Sequence, residues 1–547
     1  MKVLIIGGVA GGASAAARLR RLDENVEIIM FERGGHISFA NCGLPYYIGG
    51  TIKERQKLLV QTPEGMIARF NIDVRVNSEV VKISPTSKTV DVLDTESGKK
   101  YSENYDYLIL SPGAEPAKPP IPGINLPNIF TLRSMEDTDR ITNHLRHLEV
   151  GKVLVVGGGF VGIEMAENLK KAGLEVTLVE ASNQLMPPLD PEMAGFIGQH
   201  LASHGIVVRM NNAVTAFEGS DDIINVLLTD GTEIKANAVI MAIGVKPDSS
   251  LASEAGLDLG QKGAVRVNEY LQTSDPYIYA VGDVIEVKDF VNGTPEYVPL
   301  AGPANRQGRL AADNIAGRRK TYRGTQGTSI VKIFDMVAAS TGNNEKTLQN
   351  LGITYQKSYT YTASHAGYYP GAVPMNLKLL FNDSGEIYGA QIVGVKGVDK
   401  RIDVLAAVIH AGLTVYDLEE LELAYAPPFS SAKDPVNMAG FVAANILKGD
   451  VEVIHWDHLS EPIDLDIFFI DVRQKEEFIK GHLKGAVNIP LDQLRGRIDE
   501  VPRDKRVILY CQSGLRSYVA CRILMQKGYK PLNLSGGYHL YSAAWRK

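Results

Sequence analysis

The sequence predicts an α/β protein with two doubly wound, Rossmann-like dinucleotide-binding units, followed by an α+β segment and a smaller α/β domain. Three observations predict this. A short β-branched run ending in a glycine-rich turn occurs twice, at residues 3–12 and 153–162, 150 residues apart. Each is followed by a helical pattern and a second apolar run that ends in an acid, Glu32 or Glu180. The length of 547 residues leaves room for three or four domains at roughly 150 residues each.

The first turn reads Gly7-Gly8-Val9-Ala10-Gly11-Gly12 and the second Gly157-Gly158-Gly159-Phe160-Val161-Gly162. In such a strand–turn–helix unit the first glycine permits the tight turn. The second lets backbone approach a pyrophosphate, and the third lets helix and strand pack closely. The helix N-terminus adds N–H donors and partial positive charge. Glu32 lies 20 residues beyond Gly12 and Glu180 lies 18 beyond Gly162, the spacing of a ribose-binding acid. An acid there repels a 2′-phosphate, so Glu180 favours NADH over NADPH. Val9 replaces the middle glycine of the first turn, so a pyrophosphate there must sit differently.

From about residue 325 the pattern becomes mixed strands and helices without a phosphate loop. Residues 377–381 and 387–393 flank Asn382-Asp383-Ser384-Gly385-Glu386 and read as a hairpin. Residues 401–413 and 436–448 have helical periodicity, and Gly449 supplies a C-terminal cap and a domain boundary. A fresh strand at 467–472 opens the last domain. The expected divisions are 1–112 with 245–324, 113–244, 325–449 and 450–547.

Composition narrows the function. Lys and Arg number 57 against 63 Asp and Glu, a net charge of −6, so no global basic field exists to hold nucleic acid. No apolar run reaches the ~20 residues of a membrane span. The apolar start imitates a signal peptide, but Arg18, Arg20 and Arg21 stand where a cleavage region is small and uncharged. The expectation is a soluble cytoplasmic protein with no bound metal. The cysteines are Cys42, Cys511 and Cys521, too few and too odd in number for a disulfide framework.

Cys42 lies ten residues after the first ribose acid, in Ser38-Phe39-Ala40-Asn41-Cys42-Gly43. The preceding strand should return this segment beside the first dinucleotide. Asn41 is expected to cap a short helix, and a thiol near a helix N-terminus has a lowered pKa. No second cysteine lies within a few residues, so Cys42 must cycle with an external sulfur or an oxidised sulfur state. The bland alternative is a small buried hydrophobe.

With the two glycine turns, the 38–43 motif and Thr273-Ser274-Asp275-Pro276-Tyr277-Ile278-Tyr279-Ala280-Val281-Gly282-Asp283, residues 1–447 resemble the flavin-dependent pyridine nucleotide–disulfide oxidoreductases. Within them they resemble the single-cysteine coenzyme A disulfide reductases. The resemblance implies FAD at the first unit, near Glu32 and Arg33, and NADH at the second. It implies that Asp283 bonds the flavin side chain, that Ala114 and Gly244 mark the crossovers into and out of an inserted NAD domain, and that 325–449 makes a homodimer. It places Ser14, Arg18, Arg21, Ser38 and Asn41 at coenzyme A. Arg18 and Arg21 also suit phosphate by charge; the alternative is plain surface charges. Tyr425 matches a tyrosine that reaches the partner's cysteine, and either Tyr368 or Tyr369 matches another; core or interface packing is the alternative. Peroxide- and oxygen-reducing relatives carry a histidine where Ala10 stands.

The second thiol follows a strand, in Cys511-Gln512-Ser513-Gly514-Leu515-Arg516-Ser517. A strand-to-helix loop aims N–H groups inward and makes an anion nest, where a thiolate or persulfide is stabilised. Arg516 adds charge. With Asp471-Val472-Arg473, residues 481–490 and Leu534-Ser535-Gly536-Gly537-Tyr538, this segment resembles a rhodanese. Cys521 is read as core. Together the parts resemble coenzyme A disulfide reductase–rhodanese fusions. That implies NADH-dependent reduction of a small-molecule thiol substrate, coenzyme A persulfide, polysulfide or disulfide, at Cys42, with Cys511 handling sulfane sulfur. The rivals are an NADH oxidase or peroxidase with an accessory rhodanese, and a persulfide carrier or sensor.

Overall fold

Strand Lys2–Ile6 is buried on both faces, as a run of Val, Leu and Ile in a parallel sheet must be. In this computed structural model, which describes residues 1–148, 151–219, 222–459 and 466–545, it is the centre of a five-stranded parallel sheet. Glu27–Phe31 and Tyr107–Leu110 flank it, with Asp73–Arg75 and Ile278–Ala280 outside them. A second sheet repeats the plan around Lys152–Val156, flanked by Glu175–Val179 and Ala238–Met241. In both, the glycine turn leaves the carboxyl end of the central strand, the point where the strand order reverses and ligands bind. The same packing forces the same glycines. A Cβ at Gly12 would stand 1.9 Å from the Gly7 carbonyl oxygen, and one at Gly162 1.9 Å from that of Gly157.

The two predicted crossovers lie side by side. Ala114–Pro116 and Val245–Pro247 pair as an antiparallel ribbon. Arg33 ties to both through Glu115 at 3.0 Å and Asp248 at 3.2 Å. Residues 1–183 and 204–327 form one compact unit; 184–203 and 328–547 form another.

In the second unit the hairpin appears as Pro374–Phe381 against Ile387–Gly394, inside a five-stranded antiparallel sheet. Helices Val398–Ala411 and Pro435–Leu447 follow, and Gly449 adopts φ 72° beyond the latter's end. The last domain is a five-stranded parallel sheet centred on Arg506–Tyr510, with Ile467–Asp471 beside it. Segment 184–203, inside the expected 113–244 division, groups with this unit. The reason is a buried ion cluster. Lys378, fully buried on the hairpin, donates to Asp190 at 2.7 Å and also to Glu192 and Glu345. Glu345 also accepts from Lys357 at 2.9 Å, and Tyr359 donates to Glu192 at 2.8 Å. Burial pushes Asp190 up against the pull of Lys378, while Lys378 and Lys357 overcome burial at Glu345 and hold it down to about 2. Among the described residues, no helix is long and apolar enough to cross a membrane.

Candidate functional site

The first site gathers at the carboxyl end of the first sheet. Ser38, at φ 45°, donates its N–H to the Gly8 carbonyl at 2.8 Å, which stitches the cysteine segment to the first glycine turn. Asn41–Gly43 form one 3-10 turn and Leu44–Ile48 the short helix after it. Asn41 does not cap this turn: Ala40 holds the cap position and no side chain caps it. Nor is the thiol activated by the turn. Cys42 is exposed, yet the surrounding walls thin the water around it, and that desolvation, with the charges of Glu164 and Asp283, pushes its thiol up. Desolvation first, and the two nearby carboxylates after it, outweigh the backbone hydrogen bond that lowers it.

Helix Leu44–Ile48 packs on helix Phe160–Lys171, the helix that follows the second glycine turn. Tyr46 donates its hydroxyl to Glu164 at 3.1 Å. A Cβ at Gly49 would stand 2.6 Å from Asn168, so the two elements meet at close range. Burial, helped by Glu167 and opposed by Tyr46, raises Glu164 to about 7. Sequence reasoning missed this acid, although it lies two residues beyond Gly162 on the same helix.

The acids that end the second strands serve the glycine turns in the same way. Glu32 accepts from the N–H of Gly8 at 3.0 Å, and Glu180 from that of Gly158 at 2.7 Å. The residues present fit two dinucleotides. Helices Ala10–Leu22 and Phe160–Lys171 aim their unpaired N-terminal amides at the turns. A Cβ at Gly159 would meet nothing within 4 Å, so the turn's crest faces open space. Gly11 is different: a Cβ there would stand 2.8 Å from Ser111 Oγ, so packing explains it. Asp283 follows strand Ile278–Ala280, and burial, opposed by Arg133, pushes its carboxyl up to about 6.

The expected coenzyme A contacts divide. Ser14 donates to Asn305 on the face of the first helix. Arg21 is exposed. Arg18 is not a free cation; it pairs with Asp313 at 2.7 Å, and Lys320 shares that acid at 3.0 Å. Tyr368 and Tyr425, 76% and 47% exposed, join hydroxyls at 2.8 Å, whereas Tyr369 lies against His365. The structure therefore pairs Tyr368, not Tyr369, with Tyr425.

The second site is a nest around sulfur. Strand Arg506–Tyr510 delivers Cys511, and Gly514, at φ 98°, starts helix Leu515–Met525. The Gly514 N–H donates to Cys511 Sγ at 3.1 Å, and the Ser517 hydroxyl reaches it at 3.5 Å. Cys511 is buried. Arg516 does not lend the loop an unpaired charge: Glu477 binds it through two contacts of 2.7 Å. Arg473, held by Asp471 at 2.7 Å, donates to Gln512 at 3.2 Å and stabilises the loop from below. Cys521 is buried in the apolar core, where burial first and Cys511 second push its thiol up.

Comparison with known proteins agrees with this geometry. Residues 1–308 match the pyridine nucleotide-disulphide oxidoreductase model, 328–435 its dimerisation domain, and 456–544 the rhodanese-like domain. The coenzyme A disulfide reductase of Staphylococcus haemolyticus is 38% identical over 447 residues, 81% of this chain and 100% of that protein. Reduced CoADR-RHD of Bacillus anthracis is 54% identical, with a TM-score of 0.97 over 99% of this chain and 98% of that one. An NAD-dependent persulfide reductase from A. fulgidus is 40% identical, with a TM-score of 0.93 over 100% of both chains.

Proposed function

The chain belongs to the pyridine nucleotide-disulphide oxidoreductase family, and from that premise we propose that it is an FAD-dependent reductase using NADH to reduce coenzyme A persulfide, polysulfide or coenzyme A disulfide through Cys42, while Cys511 carries or transfers sulfane sulfur. One observation carries this reading: the same chain holds an exposed, solitary thiol beside two glycine turns and a buried thiol in a main-chain nest. The first suits attack on an external sulfur; the second suits holding a sulfur anion. The reading assigns 1–112 with 245–324 to FAD, 113–244 to NADH, 325–449 to homodimerisation and 450–547 to the rhodanese-like domain. It also places the enzyme in the cytoplasm, where its three thiols stay reduced.

FAD, when bound, supplies the relay between hydride donor and sulfur. The chain's own residues do the rest. Cys42 thiolate attacks the coenzyme A-linked sulfur of the persulfide and expels hydrosulfide, forming a mixed disulfide. Two electrons from NADH then release coenzyme A thiol and restore Cys42. The sum is persulfide plus NADH plus a proton giving thiol, hydrogen sulfide and NAD⁺. With coenzyme A disulfide the products are two thiols and NAD⁺. The Tyr368–Tyr425 pair would protonate the departing sulfur from a partner subunit, since the two hydroxyls share one hydrogen bond and stand exposed. Glu180 at the second turn favours NADH, because a carboxylate repels a 2′-phosphate.

The test is anaerobic NADH oxidation with sulfide quantified, for wild type, Cys42→Ser and Cys511→Ser. The expected result is no turnover without Cys42, and a loss without Cys511 that is greater on persulfide than on disulfide. Oxygen uptake that survives Cys42→Ser without sulfide release would instead support an oxidase.

A further inference from the structure

The loop that holds Cys511 is braced by a helix that also docks outside its own domain. Helix Gly537–Trp545 starts behind the sulfur loop. The Tyr538 N–H donates to the Cys511 carbonyl at 2.8 Å, and the His539 N–H to the Gln512 carbonyl at 3.0 Å. Close packing fixes this start, because a Cβ at Gly537 would stand 2.6 Å from the Cys511 carbonyl oxygen.

The ring of the same His539 belongs to a different contact. It stacks on Phe196 at 5.1 Å between centroids, with a 21° tilt, and lies 4.4 Å from the ring of Tyr361. Phe196 is on helix Pro191–Ser203 and Tyr361 on strand Gln356–Ala363; neither is in the rhodanese-like segment. The helices meet at backbone range, since a Cβ at Gly195 would stand 3.0 Å from the Ala543 carbonyl oxygen. Burial holds the His539 ring below its usual range, so at neutral pH it is an uncharged slab suited to stacking. A second tie, Lys357 to Asp457 at 2.8 Å, fixes the domain's opening segment to the same sheet.

We propose that His539 is a positioning residue for sulfur transfer at Cys511: its backbone frames the sulfur loop while its ring clamps that frame to Phe196 and Tyr361. The loop's geometry is then set by docking on the antiparallel sheet as well as by the domain's own core. The proposal rests on the reading that Cys511 handles sulfane sulfur. Removing the ring leaves every backbone donor in place but frees the helix start to slide, and a nest misplaced by a fraction of an ångström binds a sulfur anion less well in the transition state.

The experiment uses the full-length holoenzyme in two assays: sulfur transfer from thiosulfate to cyanide, and NADH oxidation with coenzyme A disulfide. His539→Ala and Phe196→Leu should each lower kcat for sulfur transfer at least about tenfold, with KM for thiosulfate little changed. His539→Phe, which keeps a stacking ring, should recover most of that loss. Coenzyme A disulfide reduction should be unchanged in all three. Phe196→Leu leaves the rhodanese-like sequence intact, so it decides the matter even where His539→Ala fails to fold. Unchanged transfer in Phe196→Leu, no recovery in His539→Phe, or equal losses in both assays would each overturn the proposal. Transfer that survives Cys511→Ser would instead remove the reading of Cys511 on which it stands.

Discussion

Cys42 is exposed on a single 3-10 turn, with Glu164 and Asp283 adding negative charge nearby; Cys511 is buried, with the Gly514 N–H directed at its sulfur. The two thiols follow parallel-sheet strands in the same chain, yet their surroundings differ. Desolvation first, then Glu164 and Asp283, pushes the Cys42 thiol up, while a main-chain N–H and the Ser517 hydroxyl face the Cys511 sulfur. On the proposed reading the contrast separates two jobs. One sulfur must be reachable by an external substrate and reset after each cycle. The other must hold an anion out of water until an acceptor arrives.

The sharpest break of this comparison is Cys42→Ser. It should lower NADH-dependent reduction of coenzyme A disulfide by at least about 10³-fold, while thiosulfate–cyanide transfer at Cys511 persists; both are read by steady-state kinetics. Next in size is a scaffold effect. Lys378→Met leaves three buried acids without their shared cation and should destabilise the second unit by about 3–5 kcal/mol in urea unfolding. Glu345, held down to about 2, contributes stability above the ordinary glutamate value of about 4.3, and that contribution is lost as pH falls toward 2. The variant should flatten that acid limb.

Smaller effects sharpen the contrast. Tyr425→Phe and Tyr368→Phe should each slow disulfide reduction by roughly tenfold, with Tyr369→Phe close to wild type. Equal losses at Tyr368 and Tyr369 would contradict the hydroxyl pairing seen here. The smallest change concerns Glu164. Because its charge pushes the Cys42 thiol up, Glu164→Gln should shift the pH profile of Cys42 alkylation by iodoacetamide toward lower pH. A shift toward higher pH would reverse the assigned sign.

The nucleotide-binding halves were legible because local rules suffice: a β-branched run, a glycine turn and an acid at fixed spacing define each unit. The Cys511 nest was legible for the same reason, since strand, loop and helix are contiguous. What escaped depends on partners far apart in sequence. Lys378 reads as a polar interruption of an apolar strand, and only folding brings Asp190, 188 residues away, to its side chain. Arg18 looks free for phosphate until Asp313, 295 residues on, takes it. The choice between Tyr368 and Tyr369 needed the position of Tyr425, and the Asn41 cap failed because a 3-10 turn starts at that residue instead of after it.

The central claim is that the exposed thiol, rather than the nested one, breaks the bond to coenzyme A. Peptide mass spectrometry of Cys511→Ser holoenzyme, treated with coenzyme A disulfide in the absence of NADH after prior reduction, tests it most directly. The account predicts a coenzyme A mixed disulfide on the Cys42 peptide that disappears when NADH is added. An unmodified Cys42 peptide, or an adduct there that NADH leaves untouched, would contradict it.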